Sequence, residues 1–114
     1  ERINGGNMSL FKKKKPEDTA AFRIQMAKKI AAHRLRYITE RDGETDIIIG
    51  RDGGFNIRGD EFIISADNRV VFRCRIPEMQ ASELMSLEGA IITAPDLESG
   101  GRTRTVIAYY VYYR

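Results

Sequence analysis

The spacing of apolar positions changes near Gly43. Ahead of it, from Glu17 to Arg41, apolar side chains recur every three or four residues. After it they alternate or form short blocks separated by Gly, Asp and Asn. The first pattern predicts one long helix and the second a set of strands. Pro16 suits a first helical turn, Glu17 and Asp18 complement the positive end of the helix dipole, and no Gly or Pro interrupts the segment before Asp42-Gly43. Such a helix is about 36 Å long at 1.5 Å per residue. It carries two apolar stripes. Ile24, Ala27, Ala31, Leu35 and Ile38 form one; Phe22, Met26, Ile30, His33 and Tyr37 form the other. One stripe packs on the chain's own sheet, and the second asks for another partner. The expectation is therefore a homodimer that self-associates through Phe22, Met26, Ile30, His33 and Tyr37.

Beyond Gly43 the pattern predicts about six strands. The segments are Asp46–Ile49, Phe55–Arg58, Glu61–Ser65, Arg69–Ile76, Ala90–Ala94 and a last strand from Arg102 or Thr103 onward. Gly50-Arg51-Asp52-Gly53-Gly54, Gly59-Asp60 and Asp67-Asn68 read as turns, and such short links favour antiparallel neighbours. In Arg69–Ile76, Val70, Phe72, Cys74 and Ile76 fall on one face, which predicts a buried Cys74. Residues 77–88 fit either a short amphipathic helix begun at Pro77 or a crossing loop. The last strand is apolar or aromatic on both faces, so it belongs in the middle of the sheet. There Tyr109 and Tyr113 share one face and Tyr110 and Tyr112 the other; the expectation is that they serve as core, with the alternative that one pair enters the core and the other lines a groove. The fold class expected is α+β, a long N-terminal helix packed on a curled antiparallel sheet or partial barrel.

Composition fits this picture. With 114 residues, 42% apolar and 31% charged, the chain makes one domain with its own core. Residues 1–7 read as an expression remnant ahead of Met8, residues 1–15 as remnant plus a flexible basic arm, and residues 16–114 as the domain. No apolar run is long enough to span a bilayer, no secretion-type apolar segment follows the Lys run, and the single Cys74 excludes an internal disulfide. A cytoplasmic location is expected.

Charge adds a second interaction hypothesis. Residues 1–41 hold 11 Lys and Arg against 4 Asp and Glu; residues 42–114 hold 8 against 12. The front is thus +7 and the rest −4, for a net charge of +3. Lys12, Lys13, Lys14 and Lys15, with Lys29 and Arg36, form a candidate anion site for weak, sequence-independent contact with nucleic acid or another polyanion. No aromatic residue interleaves the Lys run, and no base-reading helix spacing is present.

Catalytic signals are poor. His33 and Cys74 fall in different elements, with no ligand spacing or triad partner. The acidic turns Asp42, Glu44, Asp46, Asp52, Asp60 and Glu61 lack the calcium-loop pattern, and the Gly50–Gly54 run lacks the Lys-Ser/Thr of a phosphate loop. Arg58-Gly59-Asp60 reads as a hairpin turn. The sequence thus predicts a non-catalytic binding or scaffolding domain, with no cofactor, metal or small-molecule ligand assigned. A polyanion binder is the alternative, and a small enzyme with an acidic loop site is third.

Overall fold

The computed structural model describes residues 19–111. The Lys12–Lys15 arm, Pro16 to Asp18, Tyr112 and Tyr113 lie outside the described residues. A helix, α1 (Ala20–Ala31), precedes seven strands: β1 (Arg34–Asp42), β2 (Thr45–Arg58), β3 (Glu61–Ala66), β4 (Arg69–Arg75), β5 (Gln80–Glu83), β6 (Gly89–Asp96) and β7 (Arg102–Tyr110). They form one antiparallel sheet in the order β4-β3-β2-β1-β7-β6-β5. The architecture is α+β, with a sheet that is open rather than closed.

Two meanders, β1 to β4 and β5 to β7, join where β7 pairs with β1. The chain then has to pass from one edge of the sheet, β4, to the other, β5. It does so through residues 76–79, which include a 3-10 turn at Ile76–Glu78. Four residues span at most about 14 Å. The sheet must therefore curl until its two edges approach. Among the described residues no ladder closes the seam between them.

α1 lies against β2, β5 and the 3-10 turn. Thr19 caps it, its hydroxyl accepting the Phe22 N–H at 3.0 Å. Ala27 and Ile30 are fully buried beneath it, in a core that includes Leu35, Ile38, Phe62, Ile64, Phe72, Ile92, Val106 and Tyr110. Burial of a side chain such as Ile30 is worth about 1.5–3 kcal/mol.

The helix has 12 residues, half the length expected from the sequence. Residues from Arg34 onward form β1, a central strand paired on both sides. The cause of the misreading is a bulge. The β1–β7 register slips between Leu35 and Tyr37, so Leu35 and Ile38 both enter the core three residues apart. Spacing by three is what a helix face also shows. The strand count is corrected in the same way: β1 and β5 are added, and the two short strands predicted on either side of Gly50–Gly54 are one continuous β2.

Gly50–Gly54 is thus not a turn. A Cβ on Gly50 would lie 2.6 Å from the Ala66 Cβ, so this glycine permits close approach within the sheet. The Asp67-Asn68 link is a two-residue hairpin with both residues at positive φ, 54° and 63°. In β4 the expected face holds for Phe72 and Cys74. A register shift between Ile64 and Ser65 turns Val70 outward and buries Val71 instead. Of the last-strand tyrosines, Tyr110 enters the core, whereas Tyr109 is half-buried on the other face and stacks on Tyr37 with ring centroids 4.5 Å apart.

Candidate functional site

One face of α1 overhangs an apolar groove. Ala20, Ile24 and Lys28 follow at spacings of four and so align along the helix. Opposite them stand Ile57, Gly59 and Asp60 of the β2–β3 hairpin, and Ile76 and Pro77 of the 3-10 turn. The groove has a volume of about 200 Å³. Its walls are tied together. Arg23 Nη1 donates to the Pro77 carbonyl at 2.9 Å, and the Ile76 N–H donates to the Asp60 carbonyl at 2.7 Å. Arg75 Nε and Nη2 both donate to Asp60 Oδ2, at 3.1 and 2.7 Å. Gly59 sits at φ 61°, a conformation that favours glycine. Ile24 is 42% exposed at the groove, and Lys28 and Asp60 supply opposite charges.

The residues expected to mediate self-association do not share one surface. Phe22 and Met26 remain on α1 and are half-buried, next to Met79 and Ala81. Ile30 belongs to the chain's own core. His33 follows the helix and stacks flat on Tyr110, with centroids 3.8 Å apart. Tyr37 is on β1. The five-residue stripe was an extrapolation of helical spacing past Ala31, and the strand takes it apart. An Ile30→Asp substitution would place a carboxylate in the core and destabilise the fold itself.

The anion-site residues are dispersed too. Lys29 Nζ pairs with Glu83 at 2.9 Å, and Arg36 lies 5.2 Å from the Tyr37 ring centroid on β1. Several of the acidic turn residues are engaged by arginines. Asp46 pairs with Arg41 at 3.2 Å, Glu61 with Arg73 at 3.0 Å and Asp60 with Arg75. The Arg58-Gly59-Asp60 tripeptide spans the end of β2 and the β2–β3 link.

A second charged cluster, missed by the sequence reading, seals one end of the seam. Arg104 on β7 donates from Nη2 and Nε to the Glu40 carboxylate at 2.6 and 2.9 Å, and from Nη1 to Asp96 Oδ2 at 2.6 Å. Asp96 is fully buried. Its Oδ2 also accepts from Ser99 Oγ at 2.7 Å, and its Oδ1 accepts the N–H groups of Arg73 and Glu98, each at 3.0 Å. The Arg104 guanidinium reaches the Val71 carbonyl at 3.2 Å. Side chains therefore bond the β4 edge where no strand does.

This cluster ties β1, β4, β6 and β7 together. The hydrogen bonds from Arg104 keep Glu40 below the ordinary carboxylate range despite partial burial. At Asp96, burial pushes the pKa up, but bonds from Ser99, the Arg73 amide, Arg104 and the Glu98 amide outweigh it and leave it lowered. A carboxylate held ionised by four donors is a poor proton acceptor.

Cys74 lies fully buried on β4, and its thiol is pushed up to about 12, first by burial and then by the charges of Asp96, Glu78 and Glu61. Near neutral pH it carries roughly a thousandth of the thiolate of a free cysteine, before counting steric protection. Native protein is expected to react with a thiol reagent orders of magnitude more slowly than protein in denaturant. Equal rates would mean that β4 opens readily.

Comparison with family models, with curated proteins and with solved structures found no match for this chain.

Proposed function

We propose that this chain is a non-catalytic binding domain whose groove between α1 and the β2–β3 hairpin receives one apolar side chain of a partner polypeptide. The observation that carries this reading is the 200 Å³ apolar groove, with Ile24 exposed in it and Lys28 and Asp60 among its lining. Its volume falls below the roughly 300–1,000 Å³ usual for small-molecule sites. It suits a single large aliphatic or aromatic side chain. Lys28 at the rim of an apolar floor favours a peptide, whose backbone carbonyls can accept from it while a side chain fills the groove. The cross-links through Arg23, Arg75 and Asp60 hold the walls in place, which lowers the ordering cost of binding.

The test uses the full chain with acetyl-leucinamide and acetyl-phenylalaninamide as probes, followed by methyl resonances. Saturable shifts are expected at Ile24, Ile57 and Ile76 but not at Ile47 or Ile48. Ile24→Glu, on an exposed position, is expected to remove the shifts and leave the fold intact. Shifts scattered over the surface, or unchanged by Ile24→Glu, would reject the groove.

A further inference from the structure

The long strand β2 has an edge that is only half covered. It runs for 14 residues, yet β3 pairs only with its second half, from Gly53 to Arg58. On the other side β1 pairs with it from Thr45 to Gly54. The β3–β4 turn extends the cover a little. The Asp67 N–H donates to the Arg51 carbonyl at 2.9 Å, its carboxylate accepts the Arg51 N–H at 3.1 Å, and Arg69 Nη2 donates to the Ile49 carbonyl at 3.3 Å. Capping ends there. Along Thr45 to Ile48, no strand and no capping side chain among the described residues meets this edge.

The uncovered stretch is apolar. Ile47 is 49% exposed and Ile48 44%. They lie on opposite faces: Ile47 stands over Glu40 and Arg104 on the inner side, and Ile48 lies beside Thr39 on the other. Protected edges commonly carry a Lys, a Pro or an inward charge, and residues 47–49 have none. Charges flank the stretch instead. Glu44 and Asp46 precede it, and Arg51 and Arg69 lie at its far end.

We propose that the partner for this edge is a second copy of the same chain, which pairs residues 46–50 antiparallel to its own across a two-fold axis near Ile48. An antiparallel pairing of a segment with itself reverses its ends. The acidic end of one copy then lies beside the basic end of the other, and the same contact is made twice. A two-fold interface requires this self-complementarity of its surface patch. The order acidic, apolar, basic along one edge supplies it. Asp46 is still accessible for such a contact, since its pairing with Arg41 leaves its side chain 38% exposed. The joined sheets would continue through the edge, with Ile48 of each copy buried against its equivalent and Ile47 against Ile49. Self-association is thereby placed on β2 and is separate from the groove beside α1.

Sedimentation of the full chain from micromolar to millimolar concentration tests the proposal, together with amide exchange at the same concentrations. A dimer of twice 13.0 kDa is expected, with exchange of the 45–48 amides slowing as concentration rises. Ile48→Lys, at an exposed position, is expected to weaken dimerisation by roughly thirtyfold or more, the loss typical of a central interface residue, without changing the circular dichroism spectrum. Asp46→Arg and Arg51→Asp should each weaken the dimer, and their combination should restore it. Ile24→Glu, which alters only the groove, should leave the dimer intact. Three results would each overturn the proposal: a wild-type monomer throughout, a dimer indifferent to Ile48→Lys, or charge reversals that fail to compensate.

Discussion

Arg104→Leu is expected to cost about 3–5 kcal/mol, the usual penalty for removing one partner of a buried ion pair. The arginine side chain is only 9% exposed, and it stands between Glu40 and a fully buried Asp96. Without it, two carboxylates remain in a poorly solvated place with their main counter-charge gone. Against a total stability of about 5–15 kcal/mol, such a loss moves the melting temperature by many degrees. Arg75→Ala should matter little, because Arg75 and Asp60 are both half exposed. The double variant Glu40→Leu with Arg104→Leu should recover part of the loss, since one stranded charge goes too. It cannot recover all of it. Asp96 also bonds the Arg73 and Glu98 amides, so its role at the seam depends on its charge and its shape together.

The same cluster sets an acid limit. Glu40 and Asp96 both titrate below their ordinary values of 4.5 and 3.8 in the folded chain. The unfolded chain therefore takes up protons first as pH falls. The stability these groups contribute is complete above those ordinary values and is lost as pH falls through the lower, folded ones. Melting temperature should stay level near neutrality and drop in that acid window. Removing Arg104 takes away the main cause of the lowered Glu40, so the acid decline in Arg104→Leu should be shallower, because unfolded Glu40 no longer takes up its proton ahead of the folded one. An unchanged acid profile in that variant would show that the cluster does not couple to folding.

How much of this was legible in the sequence depended on how local the cause was. The alternation in residues 69–76 and the apolar run of 102–110 report faces directly, so Cys74, Phe72 and the central place of β7 could be read. The end of α1 could not. With Leu35 and Ile38 three apart, a bulged strand and a helix present the same pattern, and pairing with β2 and β7 decides between them. The seam cluster depends on Glu40 and Arg104, 64 residues apart, and on Asp96, which in sequence follows a Pro and looks like a strand stop. The groove is likewise assembled from three segments, each unremarkable alone. Ile24 stands three residues before the buried Ala27, a spacing that puts both on one stripe, yet only Ala27 is covered.

The glycines of β2 were misread for a related reason, and they carry the other large expected effect. Gly53→Ala should destabilise the protein by more than about 4 kcal/mol, the range reached only by severe core or backbone conflicts. A Cβ at this position would sit 1.8 Å from the Ser65 carbonyl oxygen, 2.7 Å from its carbon and 2.9 Å from the Ala66 Cα. All three are backbone atoms of β3, so no side chain can turn aside to make room. The conflict is one of space, since Gly53 is not among the residues at positive φ. Either β3 retreats, breaking the Gly53↔Ala66 and Gly54↔Ser65 pairings, or its register slips and the faces of Phe62 and Ile64 are exchanged. Both remove core side chains from the inner face. The neighbouring residue is the control. A Cβ on Gly54 meets nothing within 4 Å, and its φ is also not positive, so Gly54→Ala should change stability by no more than about 0.5 kcal/mol. Urea unfolding followed by circular dichroism compares the two directly. A Gly53→Ala protein as stable as Gly54→Ala would mean that β2 and β3 do not approach this closely, and the pairing of residues 53–58 would have to be redrawn.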